Sequence, residues 1–350
     1  MAATRGRWVN RPEGSNWGEF GPDDQRGRLN LLTPEKVLQG VREVQDGRSF
    51  CLSLPLDYPG GNVLNPRRHP PRRFATVRGD RENYNFPFAR ENPDWVDVTC
   101  DDAALLWLQY STQWDSLAHV GQLFDADGDG EPEAVFYNGW RAGEHVVGAQ
   151  HDHGGGAGLT RFEGVEARAL GIETMAATGV QGRGVLIDLH AHVGRERRLV
   201  GYDELMRVCE ADGVEVETGD MVALHTGFAD VLLEMRRNPD PERLTTSCAV
   251  LNGRDERLLR WITDSGLAVL VADNYAVEAH PAEPGTGKHA AMPLHEHCLF
   301  KLGVHLGELW YLGELAAYLR ARGRSRFLLT APPLRLPGAV GSPATPVATV

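Results

Sequence analysis

Short apolar runs and amphipathic segments alternate along the second half of the chain. The apolar runs predict buried strands at 184–189, 220–225, 267–272, 304–309 and 326–329. Helical periodicity predicts helices at 202–210, 228–237, 254–264 and 312–322. The segment 294–302 fits either a helix or a strand. Because strands and helices alternate in this way, the chain is expected to have an α/β fold.

The first half of the chain has a less regular pattern. Residues 1–28 are polar but contain aromatic side chains that need burial, so we expect an arm packed on the body of the protein. Thr33 and Pro34 predict the start of a helix that runs to about residue 46, because Thr is a good N-cap and Pro suits the first helical position. A strand is predicted to follow at 49–56.

Two further segments define the expected domain organisation. Residues 57–95 are rich in Pro, Arg and Asn, and a loop of this length is typical of a lid or an oligomer arm. Residues 336–350 are rich in Pro, Gly and Ala, which predicts a flexible C-terminal tail. Residues 1–335 are expected to form a single domain.

The strongest candidate for chemistry is the stretch 109–119, Q-Y-S-T-Q-W-D-S-L-A-H, which follows a strand predicted at 103–110. Its polar residues Gln113, Asp115 and His119 lie at alternate or near-alternate positions, as on one side of a strand end rather than on a helix face. A carboxylate, an imidazole and amide oxygens that converge on one cavity can hold a hard or borderline divalent metal, or can form a general-base site. The residues alone leave both possibilities open.

Composition and charge narrow the function classes. The chain has 350 residues and a formal net charge of −12, which argues against a nucleic-acid partner. Its 5 cysteines have no C-x-x-C spacing, so neither a disulfide framework nor a thiolate zinc site is expected. The sequence has no apolar run of membrane-spanning length and no secretory leader pattern, so we expect no membrane partner and a cytoplasmic location. A small-molecule substrate is the remaining expectation.

Motifs for nucleotide binding or serine hydrolysis are missing from the sequence. It contains no G-x-G-x-x-G, no phosphate-binding loop with Lys-Ser/Thr and no G-x-S-x-G. We therefore expect no nucleotide cofactor. Two other polar patterns are interpreted as structural: the acidic run D-A-D-G-D-G at 125–130, which departs from a calcium loop after its sixth position, and H-D-H at 151–153 in a Gly-rich loop.

The stretch 109–119 resembles the hallmark H-x-G-T-H-x-D-x-P-x-H of the cyclase family, metal-dependent hydrolases that include bacterial kynurenine formamidase and isatin hydrolase. Other segments resemble the family in the same order, over about residues 15–335. They are N-W-G at 16–18, L-N-L-L-T-P-E at 29–35, Y-N-G-W at 137–140, G-R-G-V-L-I-D at 182–188, G-D-M-V-A-L-H-T-G at 219–227, A-D-N-Y-A-V-E at 272–278, P-L-H-E-H at 293–297 and G-V-H-L-G-E-L at 303–309.

This resemblance implies an α/β fold with a central barrel-like mixed β-sheet flanked by helices, in a homodimer or homotetramer. In the family, two motif histidines and the aspartate hold one metal, and in some members the aspartate, a later His and a later Glu hold a second. The matching metal positions in this chain are Gln109, Gln113, Asp115, His295 or His297, and Glu308. The last motif histidine is His119, and Trp114 and Gln113 are candidates for contact with the substrate.

The chain departs from the family at two of these positions, because glutamines replace both motif histidines. A glutamine oxygen is a weaker, neutral and harder ligand than imidazole, so affinity for Zn²⁺ should fall. Three outcomes remain open: weak binding of a harder ion such as Mn²⁺ or Mg²⁺, one metal shifted toward the later His and Glu, or no metal, with His119 acting alone.

The resemblance implies an arylformamidase-like hydrolase that acts on an amide, ester or lactone bond of a small aromatic or cyclic substrate. Catalytic roles are expected for His119, His295 and His297, with a divalent metal, manganese or zinc, as cofactor. One alternative is a metal-independent ring-closing cyclase or dehydratase of secondary metabolism. The other is a catalytically silent protein that binds a small molecule.

Overall fold

A central β-sheet of nine strands runs through the part of the chain that the structure describes, residues 6–152 and 162–350 of a computed structural model. In chain order its strands are β1 (Ser49–Cys51), β2 (Gln113–Asp115), β3 (Gln181–Asp188), β4 (Met221–His225), β5 (Val269–Ala272), β6 (His305–Glu308), β7 (Arg326–Thr330), β8 (Gly341–Pro343) and β9 (Val347–Thr349). Their order across the sheet is β1-β9-β7-β3-β4-β5-β6-β2-β8. Strands β3 to β6 are parallel and the flanking pairs are antiparallel, so the sheet is a mixed, open half-barrel.

Helices cover the sheet and connect its strands. They are α1 (Pro34–Arg42), α2 (Ile172–Ala176), α3 (Leu189–Val193), α4 (Tyr202–Asp212), α5 (Phe228–Glu234), α6 (Pro241–Thr246), α7 (Glu256–Ser265), α8 (Pro293–His295) and α9 (Gly313–Arg320), with a π-helix at Glu296–Leu302. Among the described residues, no helix is both long and apolar enough to cross a membrane. The predicted α/β class with a barrel-like mixed sheet and flanking helices is confirmed.

Both faces of the central strands are buried, which explains why their sequences are apolar without alternation. Along β3, Val185 and Ile187 join one hydrophobic cluster together with Leu205 of α4. Leu186 points to the other face and joins a second cluster together with Leu315 of α9. Strand β3 therefore contributes side chains to two hydrophobic clusters, one on each face of the sheet. Consecutive positions must then be apolar.

Local signals set the helix ends. The Thr33 hydroxyl accepts the backbone N–H of Lys36 at 3.3 Å, and Pro34 occupies the first helical position, as predicted. Helix α1 ends at Arg42 rather than near residue 46, because Asp46 donates its N–H to the carbonyl of Val350 at 3.1 Å instead of continuing the helix.

Residues 57–95 do not form an irregular loop throughout. They contribute to three small two-stranded antiparallel sheets: Arg72–Ala75 with Asp102–Leu105, Val77–Arg78 with Arg81–Glu82, and Phe86–Pro87 with Val98–Thr99. The prediction of a buried strand at 103–110 is wrong, since Asp102–Leu105 is a mostly exposed strand of the first of these sheets. The buried strand starts three residues after that range, with β2.

The prediction that residues 336–350 form a flexible C-terminal tail is wrong. Strand β8 pairs with β2, and β9 lies between β1 and β7, so the end of the chain is part of the central sheet. Ala348 and Val350 are fully buried. The composition suggested disorder because few large apolar residues are present, but backbone hydrogen bonds to three other strands hold this segment in place.

Candidate active site

The candidate site is built on the antiparallel pair β2 and β6. In their register Gln113 lies opposite Glu308, and Asp115 lies opposite Leu306. Side chains directly opposite each other share a face, and residues two apart on a strand also share it. The pairing therefore places Gln113, Asp115 and Glu308 on one face, although Glu308 is far away in sequence.

His295 completes a buried cluster at this face. Asp115, His295 and Glu308 each offer a ligand atom, and these atoms lie within 4.8 Å of one another. The three residues are at most 3% exposed. His295 Nε2 lies 3.2 Å from Glu308 Oε1. Burial would raise the pKa of Glu308, but the hydrogen bond and charge of His295 lower it overall.

Glu278 holds His295 in place from the other side. Its Oε1 lies 2.8 Å from His295 Nδ1 and accepts the backbone N–H of His295 at 3.0 Å, while Oε2 accepts the N–H of Leu294 at 3.0 Å. Burial would lower the pKa of His295, but the two carboxylates beside it raise the pKa to about 10. The Glu278 carboxylate orients the ring so that Nε2 faces Asp115 and Glu308, an arrangement common around metal-binding histidines.

Two buried oxygens in this cluster have no hydrogen-bond partner among the described residues: Asp115 Oδ2 and Gln113 Oε1. Gln113 uses its amide N–H to bind Asp115 Oδ1 at 3.1 Å, so its carbonyl oxygen is the free end. Burial raises the pKa of Asp115, and the nearby charge of Glu308 adds to the effect. Unpartnered buried oxygens are costly, and a cation is one group that would satisfy both. The donor set therefore fits a divalent metal.

His119 lies between this cluster and solvent. Its Nε2 is 3.8 Å from Asp115 Oδ1, and its side chain is 21% exposed, whereas that of Asp115 is fully buried. The imidazole is therefore the group in the site that is best placed to exchange protons with a substrate or with water.

Gln109 lies at the edge of the site rather than in the cluster. Its backbone carbonyl accepts a hydrogen bond from Arg68 Nη1 at 2.7 Å, and its side-chain amide packs against Gly341 of β8. It lines a small cavity together with Arg68 and Tyr275. Within the described part of the chain no hydrogen bond joins the Gln109 side chain to the cluster of Asp115, and its predicted metal contact stays a prediction.

Two of the predicted site residues lie elsewhere. Trp114 points to the opposite face of β2, where its Nε1–H donates to the carbonyl of Ala331 at 2.7 Å and its ring meets Trp310 edge-on at 5.0 Å. It belongs to the core because side chains alternate along a strand, so the predicted substrate contact is wrong. His297 Nε2 lies 2.9 Å from Thr263 Oγ1 of α7, away from the cluster, and burial lowers its pKa to about 4. The choice between the two histidines therefore falls on His295.

Sequence reasoning missed three residues near the site. Glu278 orients the ring of His295, whereas Asp273 accepts the backbone N–H groups of Thr226 and Gly227 at another strand end. Arg68 and Tyr275 were not identified, and their approach to the site depends on the tertiary fold. In the sequence, Tyr275 and Glu278 were marked only by the resemblance of the segment A-D-N-Y-A-V-E at 272–278 to the family.

The acidic run at 125–130 forms a turn closed by its own carboxylates. Asp125 Oδ1 accepts the backbone N–H groups of Gly128 and Asp129 at 2.8 and 3.1 Å. Asp125, Asp127 and Glu133 form a second acidic group on the surface. His153 of the H-D-H pattern lies outside the described residues.

Comparison with known proteins identifies the family. The family described as "Putative cyclase" matches residues 83–279. The crystal structure of a novel cyclase is 30% identical in sequence, with a TM-score of 0.71 over 96% of this chain and 97% of that chain. The chain therefore belongs to the cyclase family. No curated protein matches the sequence.

More distant structures share the fold. Isatin hydrolase A from Ralstonia solanacearum is 15% identical, with a TM-score of 0.53 over 86% of this chain and 91% of that chain. Isatin hydrolase A from Labrenzia aggregata, bound to benzyl benzoate, is 14% identical, with a TM-score of 0.53 over 90% of this chain and 97% of that chain. At these identities the likeness concerns the fold alone.

Proposed function

We propose that this protein is a cyclase-family hydrolase that uses a divalent metal to cleave an amide, ester or lactone bond of a small aromatic or cyclic substrate. The observation that carries the proposal is the buried cluster of Asp115, His295 and Glu308, with ligand atoms within 4.8 Å of one another. Burying two carboxylates beside each other is unfavourable unless positive charge compensates them. The hydrolase names of the isatin hydrolases support the reaction class.

Asp115, His295, Glu308 and the Gln113 carbonyl oxygen would hold the metal. Three of these four residues offer oxygen ligands and only one offers nitrogen, which favours Mn²⁺ over Zn²⁺. When bound, such an ion lowers the pKa of water and polarises a carbonyl group. Glu278 fixes the ring of His295 through the 2.8 Å contact with Nδ1, which keeps the Nε2 side of the imidazole directed at the site.

His119 provides the proton transfers in this proposal. Its Nε2 is the group that accepts a proton from the attacking water and returns it to the leaving nitrogen or oxygen. Asp115 Oδ1 lies 3.8 Å from this nitrogen, which places the imidazole beside the proposed metal ligands. The partial exposure of His119 gives a substrate access to the imidazole while the ligand residues stay shielded from bulk water.

A metal-independent ring-closing or dehydrating enzyme is a second candidate. Two contacts favour it: His295 bridges Glu278 and Glu308 by hydrogen bonds at 2.8 and 3.2 Å, so a protonated imidazole satisfies both carboxylates without a metal ion. From the resemblance to the family we further propose a homodimer or homotetramer. The five free cysteines support our proposal of a reducing, cytoplasmic location.

Metal analysis separates the two candidates. We expect purified protein to carry a stoichiometric divalent ion, and Asp115→Asn to lose it. Asp125→Asn is the control, because Asp125 belongs to the second acidic group, on the surface, and this variant should retain the ion. If the ion is lost only in Asp125→Asn, the assigned centre is wrong. Activity that survives a chelator in metal-free protein would favour the ring-closing enzyme, and a protein with neither metal nor activity would be a binding protein.

A further inference from the structure

A cavity of about 320 Å³ opens beside the candidate site. Its volume falls at the lower end of the range of small-molecule pockets, roughly 300–1,000 Å³. Tyr275 lines both this cavity and the smaller one next to Gln109 and Arg68. Asn274, also in its wall, accepts the backbone N–H of Leu309, the residue after Glu308, at 3.0 Å. The wall of the cavity therefore contacts the chain directly after β6, the strand that carries Glu308.

The walls of this cavity are apolar over much of their surface and carry one fixed positive charge. Apolar side chains come from Val63, Leu64, Phe228 and Leu244, and the charge comes from Arg197. Among the described residues that line the cavity, none is an aspartate or a glutamate. An aromatic ring would bury against the apolar wall, and an anion would meet the guanidinium.

Arg197 differs from its arginine neighbours in having no acidic partner. Arg195 pairs with Glu234 at 2.6 Å, and Arg198 pairs with Glu204 at 3.4 Å. Arg197 makes neither a hydrogen bond nor an ion pair with any other part of the described chain, and burial lowers its pKa although much of the residue stays exposed. A partly desolvated guanidinium without a counter-charge is a ready anion site.

We propose that this cavity binds a carboxylate carried by the substrate away from the bond that is cleaved, and that Arg197 is the residue that pairs with it. The inference rests on the proposed hydrolase function and adds the substrate class, a small aromatic acid. A single guanidinium among apolar walls suits a monoanionic carboxylate better than a phosphate, which carries more charge and needs more donors. Arg197 is thus a residue that determines specificity.

The test compares benzoate with its neutral isostere benzamide by isothermal titration calorimetry on the full-length protein. We expect benzoate to bind roughly 10-fold more tightly than benzamide, because one charge-assisted hydrogen-bonded pair is gained. Arg197→Gln should remove this preference and leave benzamide binding unchanged. Arg198→Gln, which removes an arginine that already has a carboxylate partner, should keep the preference. Thermal melts check that both variants fold.

Repeating the titration with a chelator and with Asp115→Asn separates this proposal from the proposed function. The Arg197-dependent preference should survive both treatments; it would then stand even if metal analysis refutes the hydrolase. Three results overturn the anion site: equal affinity for benzoate and benzamide in the unmodified protein, an unchanged preference in Arg197→Gln, or a preference that the chelator removes, since benzoate would then bind through an ion.

Discussion

Replacing Glu278 by glutamine tests whether the candidate metal centre depends on a residue that does not itself bind the ion. In the structure the carboxylate accepts three hydrogen bonds, from His295 Nδ1 at 2.8 Å and from the backbone N–H groups of His295 and Leu294 at 3.0 Å each. A glutamine side chain has nearly the same shape but only one acceptor oxygen. Its NH₂ group must face at least one of these buried N–H groups.

The expected cost follows from this geometry. A buried donor that loses its acceptor costs about 1–3 kcal/mol of unfolding free energy. The imidazole of His295 also loses the neighbouring negative charge of Glu278, which makes it a stronger ligand. Removal of such an orienting partner lowers metal affinity roughly 10- to 100-fold. We therefore expect Glu278→Gln to bind Mn²⁺ more weakly by this factor and to unfold at a lower temperature than the unmodified protein.

Calorimetric titration of Mn²⁺ into metal-free protein measures the first effect, and thermal unfolding measures the second. Asp273→Asn is the matched control: Asp273 is equally buried, and it accepts N–H groups of Thr226 and Gly227 at 2.7 and 2.8 Å at another strand end. The Asp273→Asn variant should unfold at a lower temperature but keep its affinity for Mn²⁺. The reasoning is refuted if Glu278→Gln binds Mn²⁺ as well as the unmodified protein, or if both variants weaken binding equally.

Three further predictions concern catalysis, charge and the end of the chain. His119→Ala should abolish hydrolysis of aryl amides and esters with little change in melting temperature, because the side chain is 21% exposed and outside the core. Burial alone would lower the pKa of His225, but the carboxylates of Asp188 and Asp230 raise it to about 10 from 6.5. The resulting stabilisation is complete below pH 6.5 and is lost as pH rises through 10. His225→Gln should therefore cost roughly 3 kcal/mol of unfolding free energy near neutral pH and flatten this alkaline loss in denaturant titrations. Deleting residues 341–350 should abolish cooperative thermal unfolding, since two strands of the central sheet are removed.

Each of these three predictions has a result that contradicts it. Full activity in His119→Ala, with intact folding, removes the imidazole from the mechanism. An unfolding free energy of His225→Gln that falls between neutral and alkaline pH as steeply as that of the unmodified protein shows that His225 is not the titrating group. A truncated chain that still unfolds in one sharp transition near the original temperature shows that β8 and β9 are dispensable.

The sequence by itself determined the features that depend on local periodicity and local hydrogen bonds. The apolar runs predicted the strands β3 to β6 because burial on both faces favours apolar side chains at consecutive positions. They also predicted β7, where burial alternates along the strand. The N-cap at Thr33 and the shared face of Gln113 and Asp115 could also be predicted, because each depends on residues only a few positions apart in the sequence.

Only the tertiary structure decided which distant residues meet. His295 and His297 stand two positions apart on a helical segment, where side chains point in different directions, so the sequence did not distinguish them. Glu278 reaches His295 and Glu308 reaches Gln113 through the pairing and packing of elements far apart in the chain. The C-terminal strands depend on backbone hydrogen bonds to β1, β2 and β7. These bonds leave no pattern in the side chains, because every residue type has a backbone carbonyl and every type except proline has an N–H.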